Sequence, residues 1–317
     1  MLKLNHPLIS IFPLLIFVLV FLGFGIYYDD FYALPSPIAA LIGITAAFIL
    51  LKGKINEKVD TFLKGCGDGK ILTMCIIYLL AGAFATVTKA TGSVDSIVNL
   101  GLNYVSPAYF PVGVFVIASF LSFASGTSVG SIVTLGPIVI ALAEKSESPL
   151  GLIGASLLSG AMFGDNLSII SDTTIAATQS LGCQMKDKFR FNSKLAFPAA
   201  LVTILILIVM GFNHESTAVI SGNKEFNLIL ILPYLLVIAL SLIGLNVFVV
   251  LFAGLVFAGI LGFGYGSFDF IGFAKKTYEG FTSMTEIFLL SLLTGGLATL
   301  VEKAGGISFV IKNISKI

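Results

Sequence analysis

The sequence is poor in charge. Of its 317 residues, 11% are Asp, Glu, Lys or Arg, against about 25% in an ordinary soluble domain. It has no tryptophan, two histidines and three cysteines, and Arg190 is its sole arginine. Each shortage excludes something. So few charges cannot cover a soluble fold made from a chain that is 57% hydrophobic. Cys66, Cys75 and Cys183 form no CxxC pair, so neither a zinc site nor a disulfide framework is suggested. His6 and His214 are too few for a histidine metal cluster. A net charge of +1 leaves no electrostatic footprint for nucleic acid. Glycine has no three-residue period, which excludes collagen, and the apolar content excludes disorder.

What is abundant is apolar sequence, with a mean hydropathy of +1.04. The solvent of such a chain is lipid. Residues 4–28 carry no Asp, Glu, Lys or Arg. That run is too long for a signal-peptide core and has no A-x-A-like cleavage site before Asp29 and Asp30, so it reads as an uncleaved first helix. Further spans are predicted at about 33–51, 71–88, 109–124, 128–143, 195–212, 226–243, 246–264 and 285–301, with a long, interrupted one at 150–180. Each crosses or nearly crosses a core ~30 Å thick at about 1.5 Å per residue. The fold class is therefore an all-α polytopic membrane protein.

Loop charge predicts the orientation. Lys52, Lys54, Lys58, Lys64 and Lys70 follow the second span, and Lys186, Lys188, Arg190 and Lys194 fill a predicted loop at 183–194. Placing both clusters in the cytoplasm puts the amino terminus there and Asp29 and Asp30 outside. The basic cluster at 186–194 reads as a topology determinant, and Asp95 as a solvated loop residue.

The chain also resembles itself. LLAGAFATVTKATGSVDSIV at 79–98 matches LLTGGLATLVEKAGGISFVI at 292–311, at a constant offset of 213 residues. Leu79/Leu292, Gly82/Gly295, Thr86/Thr299 and Gly92/Gly305 are identical, and Gly67/Gly280 extends the register upstream. Glycine and threonine coinciding without gaps point to duplication. An odd number of crossings in the first copy inverts the second, the architecture of secondary transporters. The expected organisation is a first repeat over 1–212, an external loop at 213–225 and the start of a second repeat over 226–317. Nothing matches 109–212, so the second repeat is expected to be truncated: a fragment, a shortened gene product, or one of two chains that complete each other.

One segment is unlike the rest. SGAMFGDNLSIISDTTIAATQ at 159–179 places Asp165 and Asp172 in an otherwise apolar run. Ionisable residues inside a membrane cost about 2.5–3.5 kcal/mol each on insertion scales, so a functional role is the default expectation. Helical spacing would set Asp165, Ser168 and Asp172 on one face, with Ser171, Thr174 and Thr178 beside them. Gly160 and Gly164 are expected to weaken the helix, breaking it near 164–171 and freeing carbonyls beside the carboxylates. Hard oxygens of this kind suit Na+ better than a soft metal. Asp165 and Asp172 are the expected Na+ ligands, with Asn166, Ser168, Ser171, Thr173 and Thr174 around them. A second candidate is GTSVGS at 126–131, read as the tip of a re-entrant hairpin over about 109–143 that brings Thr127 and Ser128 to the same place. Glu286, Lys89, Glu302 and Lys303, near span ends, read as snorkelling interface residues.

At these residues the chain resembles the NhaC-type Na+/H+ antiporters. The carrying motifs are GTSVGSIVTLGP at 126–137 and GAMFGDNLSIISDTT at 160–174. Val129 stands where that family carries an aromatic residue, and Ile169 where it carries proline. The resemblance implies inverted repeats, each with a re-entrant hairpin and a broken helix, in a bacterial inner membrane. The family also includes exchangers of organic anions, such as malate for lactate.

The function so implied is exchange of Na+ for H+ by alternating access. Sodium needs the ionised carboxylate and protonation removes that ligand, so the ions compete for one site. The alternative is a cation-coupled carrier of small carboxylates or amino acids on the same fold. An intramembrane aspartyl protease fits poorly, because both aspartates lie in one segment and no GxGD precedes Asp165. No enzymatic activity and no cofactor are expected. The expected partners are the lipid bilayer, Na+ and H+, with a homo-oligomer allowed and nucleic acid excluded.

Overall fold

A computed structural model describes residues 7–30, 32–168, 171, 174, 185–213, 225–243, 245–306 and 308–309. No strand occurs among the described residues. The helices are α1 (Pro7–Tyr27), α2 (Ser36–Leu50), α3 (Ile55–Cys66), α4 (Gly69–Ala90), α5 (Ser93–Tyr104), α6 (Phe110–Ser125), α7 (Ser128–Ser146), α8 (Leu150–Leu167), α9 (Met185–Asn213), α10 (Leu228–Leu242), α11 (Val247–Gly264), α12 (Phe270–Ser283) and α13 (Thr285–Lys303). Seven of them, α1, α4, α7, α8, α9, α11 and α13, are long and apolar enough to cross a membrane. The chain is a multi-pass helical membrane protein. Exposed Leu19, Ile26, Ile49 and Phe120 are the lipid-facing counterpart of that architecture.

Some predicted loops are helices. The lysine-rich stretch after α2 forms α3, whose buried Lys58, Thr61 and Gly65 share one face at helical spacing. The predicted loop at 183–194 is the first part of α9 from Met185 onward, so Lys186, Lys188, Arg190 and Lys194 are helical. Charge marks both stretches as loops, whereas α3 buries one face and the start of α9 turns Lys188 and Asn192 toward α8.

Contacts group the chain into two units, residues 1–79 with 281–317, and residues 80–280. This division cuts across the expected repeat bounds, since α13 packs with α2 and α3. In the first unit the core is Ile44, Ala47, Leu51, Leu297, Leu300, Val301 and Ala304, flanked by Phe17, Phe48, Phe62 and Leu293. The α3–α13 seam depends on small residues. A Cβ on Gly65 would lie 2.6 Å from the carbonyl oxygen of Gly295, so only glycine permits this approach. Glu286 does not simply snorkel: its Oε1 accepts from the Ser36 amide (3.1 Å) and hydroxyl (2.9 Å), capping α2. Lys89, Glu302 and Lys303 are exposed.

The 213-residue offset recurs in the backbone. Gly92 and Gly305, 213 residues apart, both take positive φ, 77° and 87°, just after α4 and α13. Within the first unit α4 touches its own repeat partner. The Cys75 thiol donates to the Phe288 carbonyl (3.7 Å), again 213 residues on.

In the second unit, α6 and α8 form the most extensive helix pair. Gly160 and Gly164 make it possible. A Cβ on Gly164 would sit 2.7 Å from the Phe123 amide and 2.9 Å from Ser122 Cβ, and one on Gly160 would run into the backbone of Phe115. These glycines therefore allow close helix approach, and neither breaks α8. Phe115, Ala200 and Leu207 lock α9 against this pair. Tyr234 is fully buried on Phe84, its hydroxyl 3.1 Å from Thr88 Oγ1. Asp95 is not merely solvated but pairs with Lys145 at 2.5 Å, joining α5 to α7.

Candidate functional site

Two helix ends build the site. The first is the junction of α6 and α7. Gly126 ends α6 in the left-handed region, φ 70°, where glycine is unstrained. Thr127 is the N-cap of α7, and its Oγ1 accepts from the Gly130 amide (3.2 Å). The sequence GTSVG is therefore a C-cap glycine followed at once by an N-cap threonine, and it turns the chain in two residues. Thr127 spends its hydroxyl oxygen on the cap. Ser128, the first residue of α7, turns its hydroxyl the other way and donates to Asp165 Oδ2 (3.0 Å).

The second is the end of α8. The helix stops at Leu167, and Ser168 is extended, with φ −65° and ψ 132°. Thr174 is helical again. The predicted interruption within 164–171 therefore stands, but its cause differs, since the two glycines are packed inside α8. Ser168 has left the helix, so the expected common face of Asp165, Ser168 and Asp172 does not extend past Leu167. Asp172 and Thr173 lie outside the described residues.

The polar atoms at this end are buried. Ser168, Ser171 and Thr174 are each 1% exposed. Among the described residues, Asp165 Oδ1, Ser168 Oγ and, on α6 across from Gly164, Ser122 Oγ are buried without a hydrogen-bond partner. Buried oxygens are costly when unpaired, and in native proteins they call for an explanation such as an ion. Ending α8 also frees main-chain carbonyls. The Asn166 carbonyl accepts from Lys188 Nζ (2.7 Å), and the same ammonium donates to Thr174 Oγ1 (2.5 Å). The exposed Asn166 side chain is held by Asn192 Nδ2, 2.8 Å from its Oδ1.

The structure thus brings Ser128 to Asp165, and Asn166 and Thr174 to one lysine. Sequence reasoning missed Ser122, Lys188 and Asn192. Lys188 and Asn192 carried a legible signal, because spacing of four places both on one face of α9 once that stretch is read as helix. The hydroxyls, carbonyl and carboxylate form a hard-oxygen donor set, the kind that takes an alkali cation rather than a soft metal.

Comparison with known proteins gives the family. The sequence model of the Na+/H+ antiporter family matches residues 5–212. The chain is 27% identical over 309 residues to the malate-2H(+)/Na(+)-lactate antiporter of Bacillus subtilis, covering 92% of this chain and 66% of that protein. It is 25% identical to the Na(+)/H(+) antiporter NhaC of the same species, covering 80% of this chain and 63% of the relative. It is 24% identical to the arginine/ornithine antiporter ArcD of Halobacterium salinarum, covering 73% and 50%. The chain spans between half and about two thirds of the length of these three relatives.

Proposed function

We propose, because the chain belongs to the Na+/H+ antiporter family, that it exchanges Na+ for H+ at the carboxylate of Asp165. One observation carries this reading. Ser128 donates to Oδ2 of Asp165, while among the described residues Oδ1 and, three residues on, the Ser168 hydroxyl are buried without a partner. Oδ1 keeps both lone pairs where Oδ2 already accepts from Ser128, so a proton and a sodium ion compete for it. Sodium takes the ionised oxygen and draws on the neighbouring hydroxyls; protonation removes the negative ligand. Alternating exposure of such a site to the two sides of the membrane couples the ions one against the other. Asp172 and Thr173 join this site in the proposal, as do Ser171 and Thr174.

The same reading assigns the chain to a bacterial inner membrane with the amino terminus in the cytoplasm. It holds two inverted repeats, and transported ions in place of a cofactor or a catalysed reaction. A second reading, exchange of small carboxylates or amino acids, is favoured by the likeness to the malate/lactate and arginine/ornithine antiporters.

The test is proton flux in proteoliposomes holding the full chain, followed with an internal pH dye. A Na+ gradient should drive proton movement. Asp165→Asn should lower it at least ~100-fold, beyond the effect of an outer-shell change on a metal site. Flux driven by malate and indifferent to Na+ would install the second reading. Asp165→Asn exchanging at the wild-type rate would remove the site.

A further inference from the structure

Lys188 is oddly placed for its own helix. It lies in the first turns of α9, where the helix dipole disfavours a cation. Its ammonium leaves α9 and crosses to the end of α8, where the dipole attracts one. There it bonds two oxygens of the donor set, the Asn166 carbonyl and Thr174 Oγ1. Asn166 follows Asp165 directly, so the ammonium sits on the residue next to that carboxylate. A compact ammonium on a long flexible stem satisfies oxygens much as a small hydrated cation would.

We propose, building on the exchange reading above, that Lys188 is a tethered competitor for the transported cation: its ammonium fills part of the Na+ ligand set, and Na+ must displace it to bind. The lysine keeps its charge throughout. It balances the carboxylate when no Na+ is present, and it withdraws when Na+ supplies that charge. The site is then never left with an uncompensated buried carboxylate, and Na+ affinity is set by a difference between two cations rather than by the ligands alone.

A purely structural lysine, capping α8, makes the opposite prediction. Removing a cap loosens the site and weakens Na+ binding, whereas removing a competitor strengthens it. A site filled by its own lysine about nine-tenths of the time shows its intrinsic affinity reduced about tenfold. In full-chain proteoliposomes, Lys188→Gln should therefore lower the Na+ concentration for half-maximal flux by about that factor. A measurement on unmodified protein keeps the test independent of folding. Na+ should speed acylation of the Lys188 amine by an amine-reactive ester, read by peptide mass spectrometry, and choline should not. An unchanged or higher half-saturation in Lys188→Gln, or acylation that Na+ slows or leaves alone, overturns the proposal. So does loss of malate-driven flux with Na+ dependence intact, which would make Lys188 an anion anchor. Wild-type protein with no Na+-driven flux sinks the exchange reading and this inference together; normal wild-type exchange with an unchanged Lys188→Gln half-saturation sinks this inference alone.

Discussion

Lys58 and Lys188 each send an ammonium to a main-chain carbonyl in the last turn of another helix, at the same distance. Lys58 of α3 donates to Phe48 of α2 at 2.7 Å, and Lys188 of α9 to Asn166 of α8 at 2.7 Å. Both satisfy carbonyls that every helix end leaves open. Their surroundings separate them. Lys58 is 6% exposed, and the carbonyl it caps belongs to Phe48, which packs on the Ile44, Ala47 and Leu51 core. Lys188 is half-buried and shares its carbonyl's neighbourhood with a carboxylate and buried hydroxyls. The lesson concerns convergence. One lysine on one carbonyl is a cap; a lysine among several oxygens that a free cation could also use is a rival to that cation. The contrast can be broken by experiment in three ways, beginning with the largest effect.

The Lys188 neighbourhood exists only while α8 is held against α6. Gly164→Val puts a branched side chain where Phe123 N stands 2.7 Å from a bare Cβ. Overpacking costs about 1–3 kcal/mol where side chains can shift and more where backbone must. This variant should lower the thermal unfolding midpoint in detergent and abolish Na+-driven flux together. Gly154→Ala, on the same helix with nothing within 4 Å of its Cβ, should keep both, because helix propensity favours alanine by up to ~1 kcal/mol. Normal flux in Gly164→Val would mean that the end of α8 is not the site.

Lys58→Met is the direct counterpart of Lys188→Gln. It keeps the apolar stem and removes the ammonium, leaving the Phe48 carbonyl without that donor. The cost should be about 1–3 kcal/mol of stability, that of a buried acceptor left unpaired. The Na+ concentration for half-maximal flux should not move. A rise in Na+ affinity here would collapse the contrast, since capping alone would then reproduce the effect assigned to competition.

The sequence shows much of this fold because lipid imposes long apolar runs, and those runs form α1, α2, α4 and the later spans, most with ends shifted by a few residues, although α9 starts ten residues before its predicted span. The hairpin tip was legible as well, since Gly126 and Thr127 carry the chemistry of a C-cap and an N-cap. What failed to show depends on partners distant in sequence. Glycine spaced by four reads equally as a helix breaker or a packing surface, and only the backbone of Phe115 and Phe123 decides for packing. Lys188 reads as a loop charge until its reach across 22 residues to Asn166 is known. Asp95 reads as solvated until Lys145 appears opposite.

Cys66 offers the smallest effect and the cleanest control. It lies on the α3–α13 seam, its Sγ 2.8 Å from where a Cβ on Gly296 would stand. Burial pushes its thiol above the ordinary cysteine value, although the Gly296 backbone pulls the other way. The thiolate is the reactive form, so a raised value means less of it at a given pH. Alkylation by iodoacetamide should therefore need more alkaline solution than a free cysteine does, and denaturant should abolish the difference. The sign for stability follows: ionising the folded-state thiol is disfavoured, so high pH weakens the seam and neutral pH leaves it intact. Sodium should change none of this. If Na+ sped Cys66 alkylation as it should speed Lys188 acylation, the cation would be loosening the whole molecule rather than releasing one lysine, and the distinction between cap and competitor would fail.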